Sequence, residues 1–453
     1  MKKRNVLSVV LGFTLLTSLT ACAGGSSVGS GTSQTIEEST STASSIEKDS
    51  NDKETTITFA INVGNCKEQN PEYYYSVQKF MEANPDIKIE LVENATEEHN
   101  SLMQLYASTN ELPDIFWLYE GDASTFQENG YLLALNDFFE ENPDISAAIA
   151  DPLETAYSDN DGTIYGIPCS TFITGLWYNK AVFDSCGIPY PTDDTTYEDL
   201  LAMVETIKEN GYVGIAQGAL TNYSLWCWLG SFNRYGYADK IDAVMSGELS
   251  FAEFRPLLEK LAELGEKGAF PDNYATIDYF EAKDLFKTGS VAMFDAGAWD
   301  AATVTEALGE DIGFWWGPTF DDTDYSQMTV NQFANAPFVV SSAVADDAAK
   351  KEAVYRFLKF FYGQEGASIM NEYSTFSTAN YTNLDSTNDN VGFMEVAKAL
   401  GNGNESASCA QPVSSLPSSV AEVIYDSVQS LITGSMSVDD AISDIDAAIA
   451  RLG

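Results

Sequence analysis

Histidine is almost absent from this chain. The 453 residues contain one, His99, within the polar stretch 97–100. A Ser-His-Asp or Cys-His mechanism would need that residue as its base. A lone histidine among acids is typical of the protein surface, so we expect His99 to be exposed and to take no part in nucleophilic catalysis.

Basic residues are also scarce. The sequence has 23 Lys and Arg against 68 Asp and Glu, and its formal net charge is −45. A chain this acidic is repelled by phosphate backbones and by anionic lipid headgroups, which excludes nucleic acid and polybasic membrane docking as functions. The charge is better explained as a solvated acidic surface that keeps an exported protein soluble.

The six cysteines show no metal-binding pattern. Apart from Cys22 they are scattered, without the paired spacing that zinc sites need, at Cys66, Cys169, Cys186, Cys227 and Cys409. No GxxxxGK[ST] motif occurs, and no GxGxxG motif follows a strand, so nucleotide binding has no support. We therefore expect neither a metal nor a cofactor.

The N-terminal segment predicts export. Lys2, Lys3 and Arg4 precede an apolar run over 6–19, which ends in the sequence LTAC at 19–22. This pattern is typical of a secretory signal peptide over 1–21. Cys22 resembles the lipidated cysteine of bacterial lipoproteins; the alternative is an ordinary signal peptide with a chance cysteine nearby. Residues 22–54 are rich in Ser, Thr, Gly and acids, which predicts a lipidated cysteine followed by a disordered tether.

The remaining chain has an α/β pattern. Residues 56–61 alternate like a strand, 73–83 have helical spacing, and 87–91 alternate again, which predicts a βαβ unit with a parallel sheet. A further strand is expected over 114–118. A capping box at 196–199 predicts a helix, and Ser437 caps a last one. The length is sufficient for two domains.

Several segments, in order, resemble the extracellular solute-binding proteins of ABC importers, in the sugar-binding branch that includes maltose-binding protein. They are KFMEANPDI at 79–87, LPDIF at 112–116, DGTIYGIP at 161–168, WYNK at 177–180, GSVAMFDAGAW at 289–299 and GSMS at 434–437. Each motif alone is weak, but the ordered set covers nearly the whole chain after the tether.

The resemblance implies two α/β lobes of the type II periplasmic-binding-protein-like fold, joined by hinge crossings with a ligand cleft between them. It places the crossings near 168–172, near Gly317 and Pro318, and around 376–380. The N-lobe would then comprise 55–169 plus 318–376, and the C-lobe 170–317 plus 377–453.

Sugar binding needs flat aromatic side chains for the apolar face of a pyranose ring, and polar groups for its hydroxyls. Trp299 follows a glycine at a predicted strand end and matches the family's sugar-stacking tryptophan. By the same resemblance Trp117 and Glu120 would supply a second stacking ring and a hydroxyl-binding acid. The other candidate ligand contacts are Tyr223, Trp226, Asn65, Thr171 and Phe172.

These features favour a non-enzymatic lipoprotein that captures an oligosaccharide and delivers it to a membrane permease. It would be held on the outer face of the bacterial cell membrane through Cys22, and we expect a monomer. Two alternatives stay open: a secreted glycoside hydrolase, since the many acids could form a catalytic pair, and the same fold binding a non-sugar solute such as a polyamine.

Overall fold

The computed structural model describes residues 54–149, 151–220, 224–381, 384, 387–401, 405–406, 412–413 and 416–452. The predicted signal peptide, Cys22, the tether up to residue 53, and Tyr223 lie outside these described residues. Asp52–Gly453 form one compact unit.

The described residues alternate between strands and helices, as the sequence pattern predicts. The strands are β1 Thr55–Ile61, β2 Ile87–Glu93, β3 Ile115–Trp117, β4 Gly166–Pro168, β5 Thr171–Asn179, β6 Val213–Ala216, β7 Val291–Gly297, β8 Ile312–Trp315, β9 Thr329–Val330, β10 Gln332–Ala334, β11 Pro337–Val340 and β12 Glu405–Ser406.

The helices surround two larger sheets formed by these strands. They are α1 Cys66–Gln69, α2 Pro71–Ala83, α3 Thr96–Thr109, α4 Ala123–Glu128, α5 Asn136–Glu141, α6 Pro143–Ala148, α7 Asp151–Glu154, α8 Lys180–Cys186, α9 Tyr197–Glu209, α10 Trp226–Gly230, α11 Tyr237–Met245, α12 Arg255–Glu266, α13 Tyr279–Lys287, α14 Ala301–Leu308, α15 Ala348–Tyr362, α16 Gln364–Glu372, α17 Val391–Gly401, α18 Ser418–Ile432 and α19 Val438–Ala450. None of the described helices is both long and apolar enough to cross a membrane.

The predicted βαβ unit forms the start of the first lobe. Strands β1 and β2 are parallel, with Ile57 opposite Ile89. The first sheet has the order β2-β1-β3-β11-β4, and β11 runs antiparallel to both of its neighbours. Alternate residues of β1 face the core, where the ring of Phe59 meets that of Phe338 edge-on at 4.8 Å. The α/β fold class is confirmed.

The second lobe is built on the sheet β10-β5-β7-β6, with β8 also paired to β5. Its main core lies between this sheet and the helices α9, α12, α18 and α19. The predicted capping box starts α9: the Thr196 hydroxyl accepts from the Asp199 N–H, and the Asp199 carboxylate accepts from the Thr196 N–H. This cap satisfies N–H groups that a helix start otherwise leaves unpaired.

Two antiparallel chain segments cross between the sheets side by side. One runs from β4 into β5, and the other from β10 into β11. Pro337 pairs with Pro168 in the first sheet, whereas Ala334 pairs with Thr171 in the second. A third segment joins them, because the Phe376 carbonyl accepts from the Thr171 N–H at 2.9 Å.

The second crossing therefore lies at 334–337, farther along the chain than the predicted site near Gly317 and Pro318. The buried guanidinium of Arg234 explains the difference. It donates to the carbonyls of Gly317 and Pro318, which holds this turn within the second lobe. The chain returns to the first lobe only after β10 has paired with β5.

Candidate ligand-binding site

An aromatic cluster lies where the second lobe meets the crossings. We call Phe172, Trp226 and Trp299 the aromatic platform. The rings of Phe172 and Trp299 stack with centroids 4.7 Å apart and planes 23° apart. Trp226 contacts both rings edge-on, at 5.5 Å from Phe172 and 5.6 Å from Trp299. Three of the residues predicted from the sequence are thus brought together.

The end of β7 determines where the Trp299 ring lies. Trp299 is in a 3-10 turn, Ala298–Asp300, directly after the strand. A Cβ atom on Gly297 would lie 2.0 Å from the Trp299 ring, so only glycine lets the indole fold back over the strand end. Trp226 is 7% exposed, whereas Trp299 is 36% exposed. Trp299 therefore offers the most surface to solvent, Phe172 is half-buried and Trp226 is buried.

A chain of hydrogen bonds fixes the orientation of the Trp299 indole. Its Nε1–H donates to the Tyr279 hydroxyl at 2.7 Å. That hydroxyl in turn donates to the Asp300 carboxylate, which pairs with Lys283 Nζ at 3.1 Å. A ring held in this way loses little conformational freedom when a ligand covers it, which favours binding. Tyr279 was not predicted from the sequence.

Thr171 stabilises the crossings by hydrogen bonds to the third segment. Its hydroxyl donates to the Ser377 carbonyl at 3.0 Å, and its N–H donates to Phe376. The Thr378 hydroxyl donates back to the Pro168 carbonyl at 2.6 Å. These bonds tie the crossings together immediately beside Phe172, so the platform lies at the hinge end of the second lobe.

On the first lobe, Trp117 ends β3 and is half-buried. Its carbonyl accepts from His99 Nε2 at 2.8 Å, and the two rings meet edge-on at 5.6 Å. The expectation of an exposed His99 is wrong, because the residue is 0% exposed. Its Nδ1 accepts from the Asn94 side chain, and burial lowers the pKa of the imidazole. His99 is thus a neutral core residue that supports the backbone of Trp117.

Glu120 lies in the turn after β3, close to tyrosines from both lobes. Burial, and then the charge of Glu120, raise the pKa of Tyr157 well above its usual value. Burial, and then Tyr119 and the charge of Glu120, also raise the pKa of Tyr425, which is on α18 of the second lobe. Burial raises the pKa of Tyr119, and the charges of Glu120 and of Glu422, which is also on α18, raise it further. Glu120 is therefore within range of electrostatic interaction with α18 of the second lobe.

Hydrogen bonds at the crossings connect Tyr157 to the residues just before the platform. The Tyr157 hydroxyl donates to the Asn335 carbonyl at 2.9 Å, and the Asn335 amide donates to the Ser170 hydroxyl at 2.7 Å. Ser170 precedes Thr171 and Phe172 in the first crossing. Glu120 on the first lobe, near Tyr157, and the aromatic platform on the second lobe thus both lie near the crossings.

Asn65 lies in the loop between β1 and α1. It is exposed, and its side chain accepts from the Glu68 N–H as the cap of α1. Tyr223 lies outside the described residues, so its predicted contact remains a prediction. Among the described residues, no group of three or more His, Cys, Asp or Glu side chains could hold a metal ion.

The chain is similar to proteins that bind solutes outside bacterial cells. Residues 76–391 match the model of a family described as bacterial extracellular solute-binding protein. The chain is 30% identical over 142 residues to an uncharacterized ABC transporter extracellular-binding protein of Pyrococcus horikoshii. This match covers 30% of this chain and 31% of the length of that relative.

Two further similarities cover more of the chain. It is 22% identical over 310 residues to a probable sugar-binding periplasmic protein of Rhizobium meliloti. The matched region covers 65% of this chain and 69% of that relative. The solved structure of a chitin oligosaccharide binding protein superposes with a TM-score of 0.75 at 19% identity, and covers 88% of this chain and 98% of the other. At this identity the superposition establishes the two-lobed fold.

Proposed function

The chain belongs to the bacterial extracellular solute-binding proteins, and from that premise we propose that it captures a carbohydrate, in particular an oligosaccharide, for an ABC importer. The ligand is held in the cleft between the platform and Glu120, and the loaded protein delivers it to the permease. The solvent-exposed side chain of Trp299, stacked on Phe172 at the crossings, is the observation that carries this proposal.

The chemistry of the platform matches that of a sugar ring. A pyranose presents C–H groups on one face and hydroxyls around its rim. The stacked Trp299 and Phe172 rings offer an apolar surface for the face, while Glu120 offers carboxylate oxygens to accept from hydroxyls. The probable sugar-binding periplasmic relative and the chitin oligosaccharide binding protein are consistent with this class of ligand.

We further propose that the protein carries its ligand without changing it, as a monomer anchored to the outer face of the membrane through lipid on Cys22. The basic residues 2–4, the apolar run and the cysteine at the end of LTAC support the anchor. Cys22→Ser is expected to move the protein from the membrane fraction into the medium. Equal retention of the variant would contradict a lipid anchor.

The ligand class is tested by a thermal-shift screen of the purified protein. The panel contains chitotetraose, xylotetraose and maltotetraose, with spermidine to represent a cationic solute. A ligand that binds only the folded state at a hundredfold excess over Kd adds about 2.7 kcal/mol to apparent stability. At least one oligosaccharide should raise the melting temperature, and chromatography should recover it intact. A shift with spermidine alone, or shortened sugars, would contradict the proposal.

A further inference from the structure

Three exposed apolar side chains lie at the end of the second lobe that carries Trp299. Leu220 is 58% exposed, Phe280 is 59% exposed and Trp299 is 36% exposed. β5 begins at the first crossing and runs antiparallel to β7, with Thr174 opposite Gly297, so β7 ends at the crossings. β6 is parallel to β7 and therefore ends at the same edge of the sheet. Leu220 follows β6 in the chain, as Trp299 follows β7.

The start of α13 brings Phe280 to this edge. The Leu220 N–H donates to the Ile277 carbonyl at 3.0 Å, which ties the loop after β6 to the segment just before the helix. The side chain of Asp278 then caps the helix, which begins at Tyr279. Phe280 is therefore in the first turn of α13, next to the loop that carries Leu220.

One tyrosine ring links Phe280 to the platform. The Tyr279 hydroxyl accepts from Trp299 Nε1 at 2.7 Å, and the rings of Tyr279 and Phe280 meet edge-on with centroids 5.5 Å apart. Among the described residues, the remaining aromatic side chain with comparable exposure is Tyr190. Its ring lies 5.9 Å from that of Tyr178, near the other end of β5. Phe280 is thus the exposed aromatic residue that lies beside the platform.

Lys283 holds the Phe280 ring in place. Its Nζ lies 5.0 Å from the centroid of the Phe280 ring and 5.4 Å from that of Tyr279. The same Nζ forms an ion pair with Asp300 at 3.1 Å, and the Asp300 carboxylate also accepts from the Tyr279 hydroxyl. A ring fixed by a cation–π contact loses little conformational freedom when a ligand covers it.

Single exposed apolar residues are common on protein surfaces, whereas several together mark a binding surface. We propose that Phe280 forms a second sugar subsite, which takes the apolar face of a pyranose farther along the same oligosaccharide than the ring on Trp299. The ligand then extends from the platform past Tyr279 to the start of α13. This inference rests on the proposed function and adds to it the direction in which the sugar chain runs.

Chain length separates the two subsites in calorimetry. The probes are chitotetraose, xylotetraose and maltotetraose, each with the disaccharide of the same linkage, namely chitobiose, xylobiose and maltose. Phe280→Ala should weaken binding of the cognate tetrasaccharide about threefold to tenfold, the size of one ring contact. It should leave binding of the disaccharide unchanged. Wild-type affinity for the tetrasaccharide, or an equal loss for both lengths, would overturn the inference.

Two further variants use the tetrasaccharide alone and separate a flat ring from apolar bulk. Phe280→Leu keeps the bulk and should lose affinity as Phe280→Ala does, whereas Phe280→Trp keeps a flat ring and should bind like the wild type. Tyr190→Ala is the matched control, because it removes an exposed aromatic side chain near the other end of β5. It should bind like the wild type. Full affinity in Phe280→Leu would overturn the inference.

Failure of the subsite and failure of the proposed function give different results. If no oligosaccharide of the panel binds the wild type, the proposed function fails and the subsite fails with it. Binding that is insensitive to Phe280 overturns the subsite alone. Sedimentation velocity of the ligand-free proteins should give the same coefficient for Phe280→Ala and the wild type. A smaller coefficient for the variant, with unchanged affinity, would show that a second copy of the chain covers Phe280 and would overturn the inference.

Discussion

Trp299 contributes more exposed ring surface to the platform than Trp226 does, and it is held by contacts that do not depend on ligand. Truncation of a buried aromatic anchor at an interface costs about 2 kcal/mol or more, or roughly a thirtyfold loss of affinity. Because an indole face contacts C–H groups without selecting hydroxyl orientation, Trp299→Ala should weaken all cognate oligosaccharides by a similar factor in calorimetry.

The matched control is Leu105→Ala on α3, which removes another exposed apolar side chain, 53% exposed, from the first lobe. It should leave affinity unchanged. Circular dichroism and melting should show both variants folded, since Trp299 borders solvent. Wild-type affinity in folded Trp299→Ala would mean that the indole is only a packing residue.

Glu120 should behave differently from Trp299, because a carboxylate accepts from particular hydroxyls in particular directions. Glu120→Gln keeps the size of the side chain but replaces one acceptor oxygen with a donor. We expect the order of affinities among the oligosaccharides to change, rather than a uniform loss. Titration of the same panel against both proteins measures this, and an unchanged order would remove Glu120 from the contacts with ligand hydroxyls.

At the residue scale, the sequence predicts the environment of a side chain where neighbours in the chain determine it. It fails where residues distant in the chain determine that environment. Trp299 is recognisable because a strand, a glycine and a tryptophan are adjacent in the chain. The sequence predicts an exposed His99 because its neighbours in the chain are polar, whereas the residue is buried and one of its two partners is the Trp117 carbonyl, 18 residues away. The bond from Tyr157 to Asn335 spans 178 residues, which no local pattern reports.

At the scale of elements, the end of β7 is the feature on which the platform depends. Gly297 has an extended backbone (φ −128°) that any residue can adopt, so alanine there introduces no backbone strain. Its Cβ would nevertheless lie 2.0 Å from the Trp299 ring and must displace it. Gly297→Ala should therefore weaken oligosaccharide binding severalfold or more while the fold is retained.

Gly64→Ala is the control for this change, since a Cβ at Gly64 meets no atom within 4 Å. It should bind like the wild type in the same titrations. Binding by Gly297→Ala that matches the control would show that the observed position of the indole is unimportant.

The elements themselves were largely predictable, because hydrophobic spacing and capping residues are local. The βαβ unit, the α9 capping box and the Ser437 cap of α19 all form as expected. The second crossing was not predictable in the same way. Its position depends on the Arg234 hydrogen bonds to 316–318 and on the pairing of β10 with β5, and both are long-range contacts.

At the scale of the whole molecule, the two lobes are joined by paired strands and the segment at 376–379, which allows bending at a few backbone positions. Only a closed form of the protein can contact the ligand with both lobes at once. Binding should therefore shift an equilibrium between open and closed forms. Solution scattering should show a smaller radius of gyration with saturating oligosaccharide. An identical profile with and without ligand would contradict a closing clamp.

The most direct test is a crystal structure of the protein grown with its tightest-binding oligosaccharide. The account predicts a pyranose ring stacked face-on upon the Trp299 indole, with centroids roughly 4.5–7 Å apart as in other ring contacts, and a sugar hydroxyl donating to Glu120 from the opposite lobe. A ligand bound outside the cleft, or a Trp299 ring that makes no contact with it, would contradict the account.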